Sequence, residues 1–204
     1  QGVNRVTPRN VTIGMDGSTL IDLEGSVLVA GQAVLADDAS IMAHLPARQW
    51  PDLLIRQAMA TILSTPTQPI AAPVMLQTDT GTTLIQQAER GIAAIGRGQL
   101  AQFSAGLHGL LGRGRQVQQA GQTTYFAIES SDGAPAIGRI NGAGADVIAG
   151  LGPVGAFLAP ALARWLAGVA RQGEADWFAA RLVSRNTTAR TVAEYRAPAL
   201  GEAA

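Results

Sequence analysis

Glycine and proline decide most of what this chain can become, because 24 Gly and 10 Pro cut its 204 residues into short segments. Gly supplies the positive φ that tight turns need, and Pro removes a backbone donor, so elements end where these residues stand. No repeat at a solenoid period is visible. From 10 to 36, Asp16-Gly17, Glu24-Gly25 and Gly31 separate runs such as Thr19-Leu20-Ile21-Asp22-Leu23 and Ser26-Val27-Leu28-Val29. That pattern predicts a small β-meander whose strands need a packing partner.

Apolar spacing then predicts helices. Pro51 suits a first helical position, and Leu54, Ala58 and Ile62, with Ile55, Met59 and Leu63, recur at spacing four over 51–63. A short strand is expected at Pro73 to Gln77. Thr83 and Gln86 fit a capping box ahead of Leu84, Ala88, Ile92 and Ile95, with Gly96 and Gly98 as the stop. Leu100, Phe103, Leu107, Leu110 and Leu111 mark a further helix over 99–111. Strands are expected at 123–129 and 136–140, a helix at about 153–170, and a closing hairpin from Trp177 to Ser184 and Ala189 to Arg196. The apolar stretch Val147 to Ala170 holds Pro153, Pro160 and Arg164, which disfavours a membrane span.

This order is segregated rather than regularly alternating, which points to an α+β fold. The expected architecture is an N-terminal β-meander followed by helices and two β-hairpins around one core. Residues 1–48 read as a β-rich portion and 49–204 as the main α+β portion of one compact domain.

The cations narrow the chemistry. All fifteen basic residues are Arg, there is no Lys or Cys, and the two His, His44 and His108, lie far apart. Schiff-base, phosphate-loop Lys and thiolate chemistry are excluded, as are disulfides. Formal charge is zero, so no global field draws the chain to nucleic acid or an acidic membrane. Without Cys the compartment stays open between cytoplasm and periplasm. Gln1 in place of Met reads as a processed, trimmed or tagged terminus, with no signal segment behind it.

Five groups of residues are candidate sites. Gly150-Leu151-Gly152-Pro153-Val154-Gly155 follows Asp146-Val147-Ile148-Ala149 and opens a helix. It resembles the GxGxxG fingerprint of flavin-dependent oxidoreductases, in which glycines let backbone approach a pyrophosphate. Only some fifty residues follow it, and Ser184 and Arg185 stand where an acidic ribose ligand is expected. Asp79-Thr80-Gly81-Thr82 matches the tetrapeptide of aspartic proteases but reads as a turn. Ser104 and His108, one helical turn apart, are the nucleophile and base of a hydrolase reading that lacks an acid. Asp16, Asp22, Glu24, Asp37 and Asp38 lack the spacing of a calcium loop, so no metal is expected. Arg97, Arg113 and Arg115 are the candidate anion binders.

The runs Thr83-Leu84 through Ala94-Ile95-Gly96-Arg97-Gly98, Phe157-Leu158-Ala159-Pro160-Ala161-Leu162 through Trp165, and Gln172-Gly173 into 177–185 resemble the small D-type accessory protein of bacterial cellulose synthase complexes. The resemblance implies a non-catalytic α/β protein that forms oligomeric rings and guides a glucan chain. The main expectation is therefore a cofactor-free, oligomeric structural or assembly protein, a homo-oligomer or one member of a larger assembly. The alternatives are a nucleotide- or flavin-binding domain using the Gly150–Gly155 loop and a Ser/His hydrolase.

Overall fold

Short apolar runs closed by Gly turns give the chain its first sheet. The computed structural model describes residues 3–112, 117–152 and 155–186. In it β1 (Asn10–Ile13), β2 (Thr19–Leu23) and β3 (Ser26–Ala30) form an antiparallel meander. Gly17 and Gly25 sit in its two turns at φ of +91° and +86°, backbone that a Cβ disfavours. The fold is α+β, as the order of elements predicts.

A second sheet joins distant parts of the sequence. Here β4 (Val34–Leu35) pairs in parallel with β11 (Asp146–Ala149), and β11 pairs antiparallel with β10 (Ala136–Arg139). Between β4 and the next strand lies α1 (Asp38–His44), whose N-cap Asp37 accepts the Ser40 backbone N–H at 2.8 Å. Leu35 and Ile41 share one core with Ile128, Val147 and Val183, so the N-terminal portion is anchored by the later strands.

The largest sheet corrects two expectations. Residues 51–63 give β5 (Leu54–Ser64), and the segment headed by Thr83 gives β7 (Thr82–Gln86) and β8 (Ile92–Arg97), not helices. With β6 (Val74–Gln77) and β9 (Gln119–Ser130) they form an antiparallel sheet in the order β6-β7-β8-β5-β9. Spacing four is two full strand periods as well as about one helical turn, so Leu54, Ala58 and Ile62 fit either structure. The β-branched Ile55, Thr61 and Ile62 favour the strand.

The expected strands at 123–129 and 136–140 exist as parts of β9 and β10, but each enters a different sheet. The segment starting at Trp177, a strand by its sequence, is instead the end of α4 (Gln172–Ala179). There Glu174 accepts the Arg171 backbone N–H at 3.1 Å and pairs with Arg164. The expected partner strand at 189–196 lies outside the described residues.

Helices α2 (Leu100–Leu111) and α3 (Gly155–Leu166) follow their apolar spacing. From α2, Phe103 and Leu107 cover one face of the large sheet, against Ala60, Ile62, Leu84, Ile92 and Ala94. Gly96 makes that closeness feasible, since a Cβ there would lie 2.1 Å from the Phe103 ring. Leu162 of α3 and Phe178 of α4 pack on Ile137 and Ile148 of the second sheet. Among the described residues no helix is long and apolar enough to cross a membrane.

Candidate functional site

Strand alternation decides where a site can lie. With α2 covering one face of the large sheet, the side chains of the other face stay open. Register places Met59 opposite both Arg97 and Tyr125, with Ile95 paired to Thr83 and Glu129 paired to Ile55 on that same face. Across from it stands the turn between β11 and α3. The space between sheet face and turn is a cleft of about 910 Å³, in the range of small-molecule and cofactor pockets.

The turn wall is mostly backbone. Gly150 and Gly152 take φ of +66° and +58°, which lets the chain double back between strand and helix. A Cβ on Gly150 would touch Ser130 and Ala134 at ordinary distance, whereas a Cβ on Gly152 would meet nothing within 4 Å. Gly155 is a packing residue, since a Cβ there would fall 2.7 Å from Leu151 Cβ. Phe157 and Trp177 flank this wall. The Trp177 ring stands edge-on to Phe178 and carries the Arg181 guanidinium 3.6 Å above it.

The sheet wall supplies the charge. Arg97 donates from Nε to Glu129 Oε1 at 3.2 Å, and its Nη2 lies 2.9 Å from Oε2, so the two side chains form an ion pair. The Arg97 stem runs over Gly81, where a Cβ would come within 3.5 Å of its Cδ. Asp38 reaches the same cleft from α1, and burial pushes its carboxyl above the usual range, opposed by a backbone hydrogen bond at Ile128. Neighbouring Asp37 and Glu129 push it in the same direction as burial.

Of the residues singled out in sequence, the cleft gathers Arg97, Gly150 and Gly152, and also Asp37, Asp38, Gly81 and Thr82. Arg113 and Arg115 lie outside the described residues. Ser104 and His108 sit on α2, which packs on the opposite face of the sheet, and no hydrogen bond joins them. Asp79, Thr80 and Gly81 lie in a turn that leads into β7, and Asp79 accepts the Thr80 N–H at 2.9 Å. Asp16 accepts from Ser18, and Asp37 is spent on capping α1. Among the described residues no group of His, Asp and Glu gathers as a metal site. Sequence reasoning missed Met59, Tyr125 and Glu129. The signal for the last two was the period-two set Tyr125, Ala127 and Glu129 on β9, which puts ring and carboxylate on one face.

No family model and no curated protein matches the chain. Solved structures do. A thermally stable mutant of fructosyl peptide oxidase is similar at a TM-score of 0.56 and 13% identity, over 90% of this chain and 53% of that one. Glycine oxidase from Bacillus cereus ATCC 14579 gives 0.54 and 12%, over 89% of this chain and 53% of the other. L-proline dehydrogenase from P. horikoshii gives 0.52 and 15%, over 84% and 52%. The chain thus spans about half the length of these structures. They overturn the resemblance to the cellulose synthase accessory protein, which rested on Ala-, Leu- and Gly-rich helical runs common to many folds. With it falls the reading as a structural scaffold or assembly protein. At these identities the likeness establishes a shared fold, and that fold is one found in oxidases and a dehydrogenase.

Proposed function

We propose that this chain forms the cofactor-facing and substrate-facing walls of a flavin-dependent oxidoreductase acting on a small carboxylate-bearing amine. The observation that carries this is the cleft of about 910 Å³ with the Gly150–Gly152 turn as one wall and Arg97 on the other. The residues present fit a flavin. Gly152 lines the cleft with backbone, and a Cβ there would meet nothing within 4 Å. Helix α3 begins three residues later, and a helix N-terminus favours an electron-rich or anionic ligand edge. A flavin bound there supplies the two-electron acceptor for oxidation at the substrate's carbon–nitrogen bond. Arg97, fixed by Glu129, holds the substrate's carboxylate on the opposite wall. The likeness to solved oxidases favours this reading over assembly and over hydrolysis through Ser104 and His108.

The test is a titration of the purified protein with flavin adenine dinucleotide, followed by flavin absorbance and fluorescence. Gly152→Asp puts a carboxylate on the bare wall, and Asp is among the residues that best tolerate positive φ. Micromolar affinity in the parent and a loss of at least about tenfold in the variant are expected, the size of one lost polar contact. An undiminished affinity in Gly152→Asp, or no flavin binding in the parent, refutes the proposal.

A further inference from the structure

We infer that the open sheet wall selects substrates with a bulky apolar side chain beside the carboxylate, and that Met59 and Tyr125 are the residues that make the selection. The inference rests on the oxidoreductase reading for its location, and its own content is the chemistry of that wall.

Three observations carry it. Arg97 engages Glu129 through Nε and Nη2, and among the described residues its Nη1 edge has no other partner. That edge is the polar anchor of the wall. Next, Met59 is the cross-strand partner of both Arg97 and Tyr125, so the three form one row across β8, β5 and β9. Strands lie about 4.8 Å apart, which sets Tyr125 about 10 Å from Arg97 along the row. A substrate held at Arg97 therefore lays a side chain of phenylalanine or leucine size over Met59 towards Tyr125. Lastly, the surroundings are apolar. Tyr125 is 41% exposed and Leu76 48% exposed on this face, and Phe157 is 84% exposed on the wall across the cleft. Exposed apolar groups around a polar anchor are what a ligand side chain would cover.

The same wall disfavours other side chains. Glycine leaves the Met59–Tyr125 strip wet. An acidic side chain would meet Glu129 and Asp38, which line the same cleft. Met59 is suited to a range of apolar shapes, because its unbranched thioether adapts to the partner it packs on.

Binding is read by the fluorescence of the tryptophans, one of which, Trp177, lines the cleft. The full chain is titrated with L-phenylalanine, L-leucine, glycine and L-aspartate. Phenylalanine and leucine should bind on the order of tenfold or more tighter than glycine, the discrimination an apolar pocket can supply. Aspartate should bind no better than glycine. Met59→Ser should abolish most of that preference while leaving glycine affinity in place, and Tyr125→Ser should do so in part. Arg97→Gln should weaken all four ligands together. Equal binding of glycine and phenylalanine, or an intact preference in both Met59→Ser and Tyr125→Ser, overturns the inference. Flavin binding without side-chain preference refutes this inference alone, and side-chain preference without flavin binding refutes the cofactor reading alone.

Discussion

Replacing Gly96 by alanine tests the geometry on which the cleft depends. Gly96 lies in β8 on the face that meets α2, one residue from Arg97 on the opposite face. A Cβ there would stand 2.1, 2.6 and 2.9 Å from three atoms of the Phe103 ring. Carbon atoms pack at about 3.5–4.0 Å, so ring or helix must withdraw by roughly 1.5 Å. Phe103 is 8% exposed and belongs to the core between α2 and the sheet, so moving its ring disturbs that interface. Overpacking of this kind costs about 1–3 kcal/mol, and the size of the overlap puts Gly96→Ala near the top, about 3 kcal/mol. In a chain of this length that is a fall in Tm of about 6–12 °C. Thermal and urea unfolding followed by circular dichroism measure it. Combining the change with Phe103→Leu should recover about 1–2 kcal/mol as a coupling energy, because the smaller side chain vacates the contested volume. A cost below about 0.5 kcal/mol for Gly96→Ala would mean that α2 does not cover this face. Met59, Arg97 and Tyr125 would then lose their claim to an open wall.

Two further outcomes follow from the polar groups. Arg185 donates to both oxygens of Asp132, at 2.9 and 2.7 Å, and holds that carboxyl down to about 2 from an ordinary 3.8. A carboxyl depressed in the folded state stabilises above the unfolded pKa and loses that contribution as pH falls through about 2. After allowance for solvent screening, the stability gap between the parent and Asp132→Asn should shrink by about 1 kcal/mol from pH 6 to pH 2. A gap constant with pH in urea melts would count against the pair. Separately, Asp37→Ala should cost about 1 kcal/mol through loss of the α1 cap, with Asp37→Ser costing only a few tenths, both measured by urea unfolding.

How much of this was legible in sequence depends on which period a segment could deny. The meander at 10–30 was readable because Gly17 and Gly25 force turns between runs too short for helices. Helices α2 and α3 were readable because residues at spacing three as well as four are apolar, and a strand does not produce both. The segment 54–64 was not, because its apolar residues lie on both faces of β5. Ala60 and Ile62 face α2, while Met59 and Leu63 face away, and positions four apart satisfy a strand and a helix alike. Trp177 and Phe178 misled through their β propensity, which the packing of Phe178 on Ile137 and Ile148 overrides. The cleft was half legible. Glycines announce a turn, and Arg97 has the chemistry of an anion binder wherever it lands. The Glu129 partner could not be seen, because it sits 32 residues further along the chain and two strands away in the sheet.

The glycine motif illustrates why local sequence and fold must be read together. In a doubly wound dinucleotide fold, the strand before GxGxxG is central in a parallel sheet, and the helix after it leads to the next parallel strand. Here β11 has one parallel neighbour, the two-residue β4, and one antiparallel neighbour, β10. Among the described residues helix α3 leads to α4, after which the chain meets β10 only through the isolated parallel bridge of Leu182 with Ile137. The spacing of Gly150 and Gly152 therefore does not mark the opening βα turn of such a sheet. Their positive φ and the bare face of Gly152 instead make a backbone wall for a cleft whose other side is a separate, antiparallel sheet. The proposed cofactor site therefore rests on the backbone of this turn and not on the spacing of the motif. What matters is that Gly152 lines the cleft and that a Cβ on it would meet nothing within 4 Å.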